Sequence, residues 1–185
     1  MRGGARDADP VEEERMLALT SDEVARYLRR SYMAADGLWF VKVEERYGFE
    51  AALDIDNEVW KVMPKIQARM LKAVGKAERG MAALRACFAT KLALEGASFR
   101  VDQDGQEGSF QIVVTDCPWY RLMVKSGRED LAGKVGEVIC RTEYSVWASE
   151  FGEDIRFELR DQICKGAASC VLCFSTEPEA GSACT

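Results

Sequence analysis

The chain has 185 residues, of which 48% are apolar, enough to bury a core as one domain. Its 25 basic and 31 acidic residues leave a net charge of −6, which argues against a surface that reads a nucleic-acid backbone. Histidine is absent and cysteine occurs seven times, so any chemistry falls to thiols and carboxylates.

Residues 1–15 are rich in Arg, Asp and Glu and lack the apolar stretch of a secretory signal. Residues 1–19 read as a disordered leader, 20–175 as a single domain, and 176–185, which hold Cys184, as a disordered tail. No segment approaches the roughly 20 apolar residues of a membrane span. The expected location is cytoplasmic, where thiols stay reduced, so the cysteines do not read as a disulfide framework.

Thr20 and Glu23 have the spacing of a capping box and open a helix with Val24, Leu28 and Tyr32 on one face, expected to reach about Ala35. Gly37 is expected to interrupt it before an apolar segment, Leu38 to Val41, that ends at Gly48. Asp56 then caps a helix carrying Val59, Met63, Ile66, Met70 and Val74, with Pro64 as a kink or break inside it. A further helix over about Ala77 to Glu95 buries Met81, Leu84, Phe88 and Leu92.

At Gly96 the apolar period changes to two, and Phe99 and Val101, followed after Asp104-Gly105 by Phe110, Ile112 and Val114, read as a β-hairpin. Pro118 suits the first turn of a short helix through Val124. Residues 129–151 form a long helix with Cys140, Tyr144, Trp147 and Phe151 on one face. A second hairpin closes the domain, with Ile155, Phe157 and Leu159 facing Cys170, Leu172 and Phe174, and Gly166 in the turn. The fold class is therefore α+β: N-terminal helices packed with an antiparallel sheet built from two hairpins, which a long helix in the C-terminal half separates.

Alternation assigns the thiols to faces. With Ile163 opposite Cys170, Cys170 points inward while Cys164 and Cys173 lie on the outer face. Residues three apart on a strand point to opposite sides, so Cys170 and Cys173 cannot share one ion. Cys117 after a strand, Cys140 on a helix and Cys170 on a strand could converge over one face of the sheet; Cys87 reads as core packing. Asp36, Phe40 and Glu44, if helical, share one face beside Trp39, which places carboxylates against an apolar patch where a cationic group could anchor.

Asp36-Gly37-Leu38-Trp39-Phe40 with Val43-Glu44, Cys117 after a strand, Cys140 within a helix and the closing Gly166-x-x-x-Cys170 together resemble a family of small bacterial and archaeal proteins grouped with L-2-amino-thiazoline-4-carboxylic acid hydrolase. The last of these also resembles the vinyl-reductase-type small-molecule-binding domains, in which an acidic residue follows the glycine where this chain has Ala167. The resemblance implies a hydrolase acting on a C–N bond of a cyclic amidine. Cys117 or Cys140 would then be the nucleophile, with Glu44 moving protons. Asp36, Trp39, Trp119, Tyr144, Arg121 and Arg128 would hold the substrate, the arginines as a clamp for its carboxylate. The alternative is a small-ligand sensor or carrier in which Cys117, Cys140 and Cys170 bind zinc or iron as thiolates. The expected partner is a small molecule, with neither nucleic acid nor membrane, and the candidate assembly is a homodimer.

Overall fold

The computed structural model describes residues 17–102 and 108–176. The proposed leader up to residue 16, the tail beyond residue 176 with Cys184, and the Asp104-Gly105 turn lie outside the described residues. The chain divides into two units, residues 1–39 and 40–185.

The described part of the first unit is helical. Helix α1, Ser21–Tyr47, begins at the expected capping box, where the Thr20 backbone N–H donates to Glu23 Oε2 at 2.8 Å and the Glu23 N–H donates to Thr20 Oγ1 at 3.3 Å. The break expected at Gly37 does not occur, and α1 runs through it into the second unit. A helix interior tolerates one glycine at a cost of about 1 kcal/mol against alanine. Gly48, at φ 87°, supplies the positive dihedral that ends the helix, as expected.

In the second unit, α2 (Phe49–Trp60) starts earlier than the Asp56 boundary expected, and α3 is Met63–Gly75. The break falls just before Pro64, which sits in the first turn of α3, where its missing N–H costs nothing. Helix α4 (Met81–Glu95) begins one turn later than expected, after Gly80 at φ 97°. Strands β1 (Ser98–Asp102) and β2 (Ser109–Asp116) are followed by α5 (Pro118–Lys125), α6 (Glu129–Ser149), β3 (Arg156–Leu159) and β4 (Cys170–Ser175). The protein is α+β. Its antiparallel sheet has the order β1-β2-β4-β3, so the two hairpins join through the β2–β4 ladder.

Period-two alternation sorts the sheet into faces. Phe110, Ile112 and Leu172, Phe174 bring apolar side chains to the inner face, with Phe157 and Leu159 beside them on β3. Helices α4 and α6 cover that face. Phe88 of α4 stands edge-on to Tyr144 and Trp147 of α6 and to Phe174 of β4, with ring centroids 5.1–5.6 Å apart. A buried phenylalanine in such a cluster contributes on the order of 2–3 kcal/mol by removal from water.

The N-terminal half of α6 carries Val135 and Ile139, which pack with Leu53 of α2. Three polar links fix the alignment: Glu50 with Lys134, Asn57 with Thr142 at 2.6 Å, and Arg69 with Glu150 at 2.8 Å. Their order shows that α2 and then α3 run along α6 in the same direction. Among the described residues, no helix is long and apolar enough to cross a membrane.

Candidate functional site

The inner face of the sheet positions an ionic centre that the alternation of apolar residues conceals. Lys91 on α4 is 4% exposed and Glu143 on α6 is 6% exposed, and the Lys91 ammonium lies 2.5 Å from Glu143 Oε1. Glu95, one turn further along α4, takes a second ion pair with the same ammonium at 2.9 Å. The rings of Tyr144 and Phe88 lie beneath the nitrogen, 5.1 and 5.6 Å from it. Burial works against the charge on Lys91, but Glu143 and Glu95 outweigh it and hold the ammonium well above the usual lysine range.

Cys117 and Cys140 lie within the field of this centre, and Cys164 and Cys170 lie within that of Cys117. Cys117 precedes α5 in extended conformation, because Pro118 fixes the first helical position and leaves the residue before it non-helical. Burial raises its thiol, while the backbone N–H groups of Tyr120 and Trp119 and the charge of Lys91 work the other way, toward thiolate. Cys140, one helical turn before Tyr144, is raised well above the usual range by burial and then by Glu143 and the other thiols. Burial lifts Cys170 to about 11, against the Ile163 backbone N–H, which donates to its sulfur at 3.3 Å. Tyr144 is likewise raised by burial and then by Cys140 and Glu143, so at neutral pH it is a hydrogen-bond donor.

Cys164 joins this group, contrary to the outer-face position expected of it. The chain does not continue β3 through Ile163. It leaves the ladder and forms a 3-10 turn at Ile163–Lys165, which Gly166 closes at φ 92°. Buried Gln162 donates from Nε2 to the Gly136 carbonyl at 3.0 Å, and Lys165 pairs with Glu137, so the turn is fastened to α6. Cys164 is thereby carried onto α6 at Gly136, where an added Cβ would meet its sulfur at 2.7 Å and Trp119 at 3.8 Å. Its thiol is raised by burial and then by Cys117.

The remaining candidates divide. Glu44, at the second-unit end of α1, is held by Arg128 at 2.6 Å, and Arg121 is held by Asp116 at 2.5 Å, so both arginines expected as a carboxylate clamp already bind protein carboxylates. Trp119 lies against Gly136 and the Val135–Ile139 cluster. Trp39 and Asp36 belong to the first unit, where Trp39 is 74% exposed and partial burial raises the Asp36 carboxyl. Cys173 lies on the outer face between Gln111 and Glu158, and Cys87 packs in the core cluster. The zinc or iron reading with Cys117, Cys140 and Cys170 finds no geometric support: among the described residues no three cysteine or carboxylate side chains form a set able to hold a metal ion.

Neither Lys91 nor Glu143 was a sequence candidate. The signal was present in two apolar stripes, Leu84-Phe88-Lys91 on α4 and Ile139-Glu143-Trp147 on α6, one interrupted at helical spacing by a base and the other by an acid. A family model covers residues 11–170, nearly the whole described chain. The chain belongs to a family of unknown function, DUF6125. No curated protein and no solved structure matches it. The Lys91–Glu143 centre, Cys117 and Cys140 all lie inside the matched segment, whereas Cys173 lies outside it.

Proposed function

We propose that this protein is a small-molecule hydrolase that opens a C–N bond of a cyclic amidine, with Cys117 as nucleophile and Glu143 in the proton-moving role that the sequence assigned to Glu44. The observation that carries this reading is the placement of Cys117. It stands at a helix N-terminus beside an otherwise apolar core, where burial raises its thiol and two backbone N–H groups and the Lys91 charge oppose that rise.

The chemistry follows from these groups. The Cys117 sulfur attacks the amidine carbon once its proton has passed to Glu143, and Lys91 holds the one negative charge that the thiol and the carboxyl exchange in that step. The C–N bond then breaks as the proton returns to the departing nitrogen, leaving the carbon bonded to sulfur. Attack by water on that carbon releases the product and restores the thiol. Tyr144 supplies a neutral O–H donor beside the reacting centre. The scheme needs reduced thiols, which fits a cytoplasmic location.

Turnover of 2-amino-thiazoline-4-carboxylate by the purified protein, followed by loss of the substrate's ultraviolet absorbance, tests the reading. Cys117→Ser should lower kcat by about 100-fold or more with the far-UV circular dichroism unchanged. An active Cys117→Ser variant would remove the thiol from the mechanism.

A further inference from the structure

We propose that two copies of this chain associate through the α2–α3 face, antiparallel about a two-fold axis near the α2–α3 junction. Ile55, Val59, Val62, Ile66, Met70 and Val74 recur at three- and four-residue steps and are all 47–83% exposed. They form one stripe. Lys61 and Val62 keep right-handed helical dihedrals between the helices, so α3 continues the course of α2 with a bend. The side facing α6 carries Ala52, Leu53, Pro64 and Ala68, all buried, which leaves the stripe on the side turned away. At about 1.5 Å per residue it is about 30 Å long. A contiguous exposed apolar face of that length marks an interaction site.

The stripe identifies its occupant by being complementary to itself. Rotated by two-fold symmetry, it sets Ile55 opposite Val74, Val59 opposite Met70 and Val62 opposite Ile66 of the second copy, so each row of the stripe meets an apolar row. The charges obey the same operation. The exposed charges that flank the stripe on α2 are acidic, Asp54 and Glu58, and those on α3 are basic, Lys65 and Arg69, with Lys61 and Lys76 exposed at the C-caps of the two helices. Antiparallel pairing brings the acidic half of each copy against the basic half of the other, while parallel pairing would oppose like charges. Within one copy Glu58 already pairs with Lys61 across exposed side chains, whereas Arg69 reaches from an exposed position to the largely buried Glu150 of α6. A face that is its own complement fits an isologous dimer, the commonest closed assembly.

Sedimentation equilibrium of the full chain at micromolar concentration should give a dimer. Val62→Asp with Ile66→Asp places four carboxylates near the axis and should weaken association by about 100-fold or more, with circular dichroism unchanged. A copy carrying Asp54→Lys and Glu58→Lys, and another carrying Lys65→Glu and Lys76→Glu, should each self-associate poorly and recover dimerisation when mixed. A monomeric wild-type chain overturns the proposal. So does a dimer that survives the aspartates at Val62 and Ile66 but is lost in Leu28→Asp, because that result puts α1 at the interface.

Discussion

Lys91 and Glu143 meet 2.5 Å apart between α4 and α6, and each is the other's counter-charge inside the aromatic core. Removing the ammonium takes its counter-charge from a carboxylate that is 6% exposed, so Lys91→Met should cost about 3–5 kcal/mol in a urea titration. Lys91→Met with Glu143→Leu removes both charges and should recover most of that loss. If the pair serves chemistry, the double variant stays inactive although it is folded. A double variant no more stable than Lys91→Met would show that the two charges do not compensate each other.

Alkali should unfold this protein more steeply than acid. The thiols of Cys87, Cys117, Cys140, Cys164 and Cys170 are all raised in the fold, Cys170 to about 11. Each raised group binds its proton more tightly folded than unfolded, so its contribution is complete below the unfolded thiol value near 8.5 and is lost as pH rises through the folded one. Lys91, also raised, acts in the same direction above about pH 10. Thermal melts should therefore be flat from pH 7 to about 8 and fall progressively above it. A melting temperature unchanged up to about pH 10 would contradict this assignment of neutral, partly or fully buried thiols.

The Glu44–Arg128 pair separates a supporting from a catalytic role for Glu44. Both side chains are partly buried and their contact is 2.6 Å. A double-mutant cycle with Glu44→Gln and Arg128→Met should return a coupling of about 1 kcal/mol. Turnover should survive in Glu44→Gln. Loss of kcat in that variant at unchanged stability would restore Glu44 to the chemistry.

Much of this architecture was legible because its determinants are local. The capping box at Thr20, the change of period at Gly96, the proline at the start of α5 and the inward alternation of Phe110, Ile112, Leu172 and Phe174 each follow from neighbours in sequence. What escaped reading was set by contacts between distant segments. Continuing the β3 alternation through Ile163 put Cys164 outside, whereas Gln162 reaching the Gly136 carbonyl, 26 residues away, turns the chain onto α6 instead. The ionic centre escaped for the same reason. A lysine on an apolar stripe reads as a snorkelling side chain until its partner on another helix is known.

Gly136 tests that packing directly. It lies inside α6, where alanine would ordinarily gain about 1 kcal/mol through helix propensity. Here the added Cβ would stand 2.7 Å from the Cys164 sulfur, which the Gln162 and Lys165 anchors hold in place. Overpacking should reverse the sign, and Gly136→Ala should lose about 1–3 kcal/mol. Adding Cys164→Ala removes the sulfur, so the double variant should regain the propensity term and unfold at a higher denaturant concentration than Gly136→Ala alone. A stabilised Gly136→Ala single variant would mean that Cys164 does not pack on α6, and the group of thiols about Cys117 would lose one of its members.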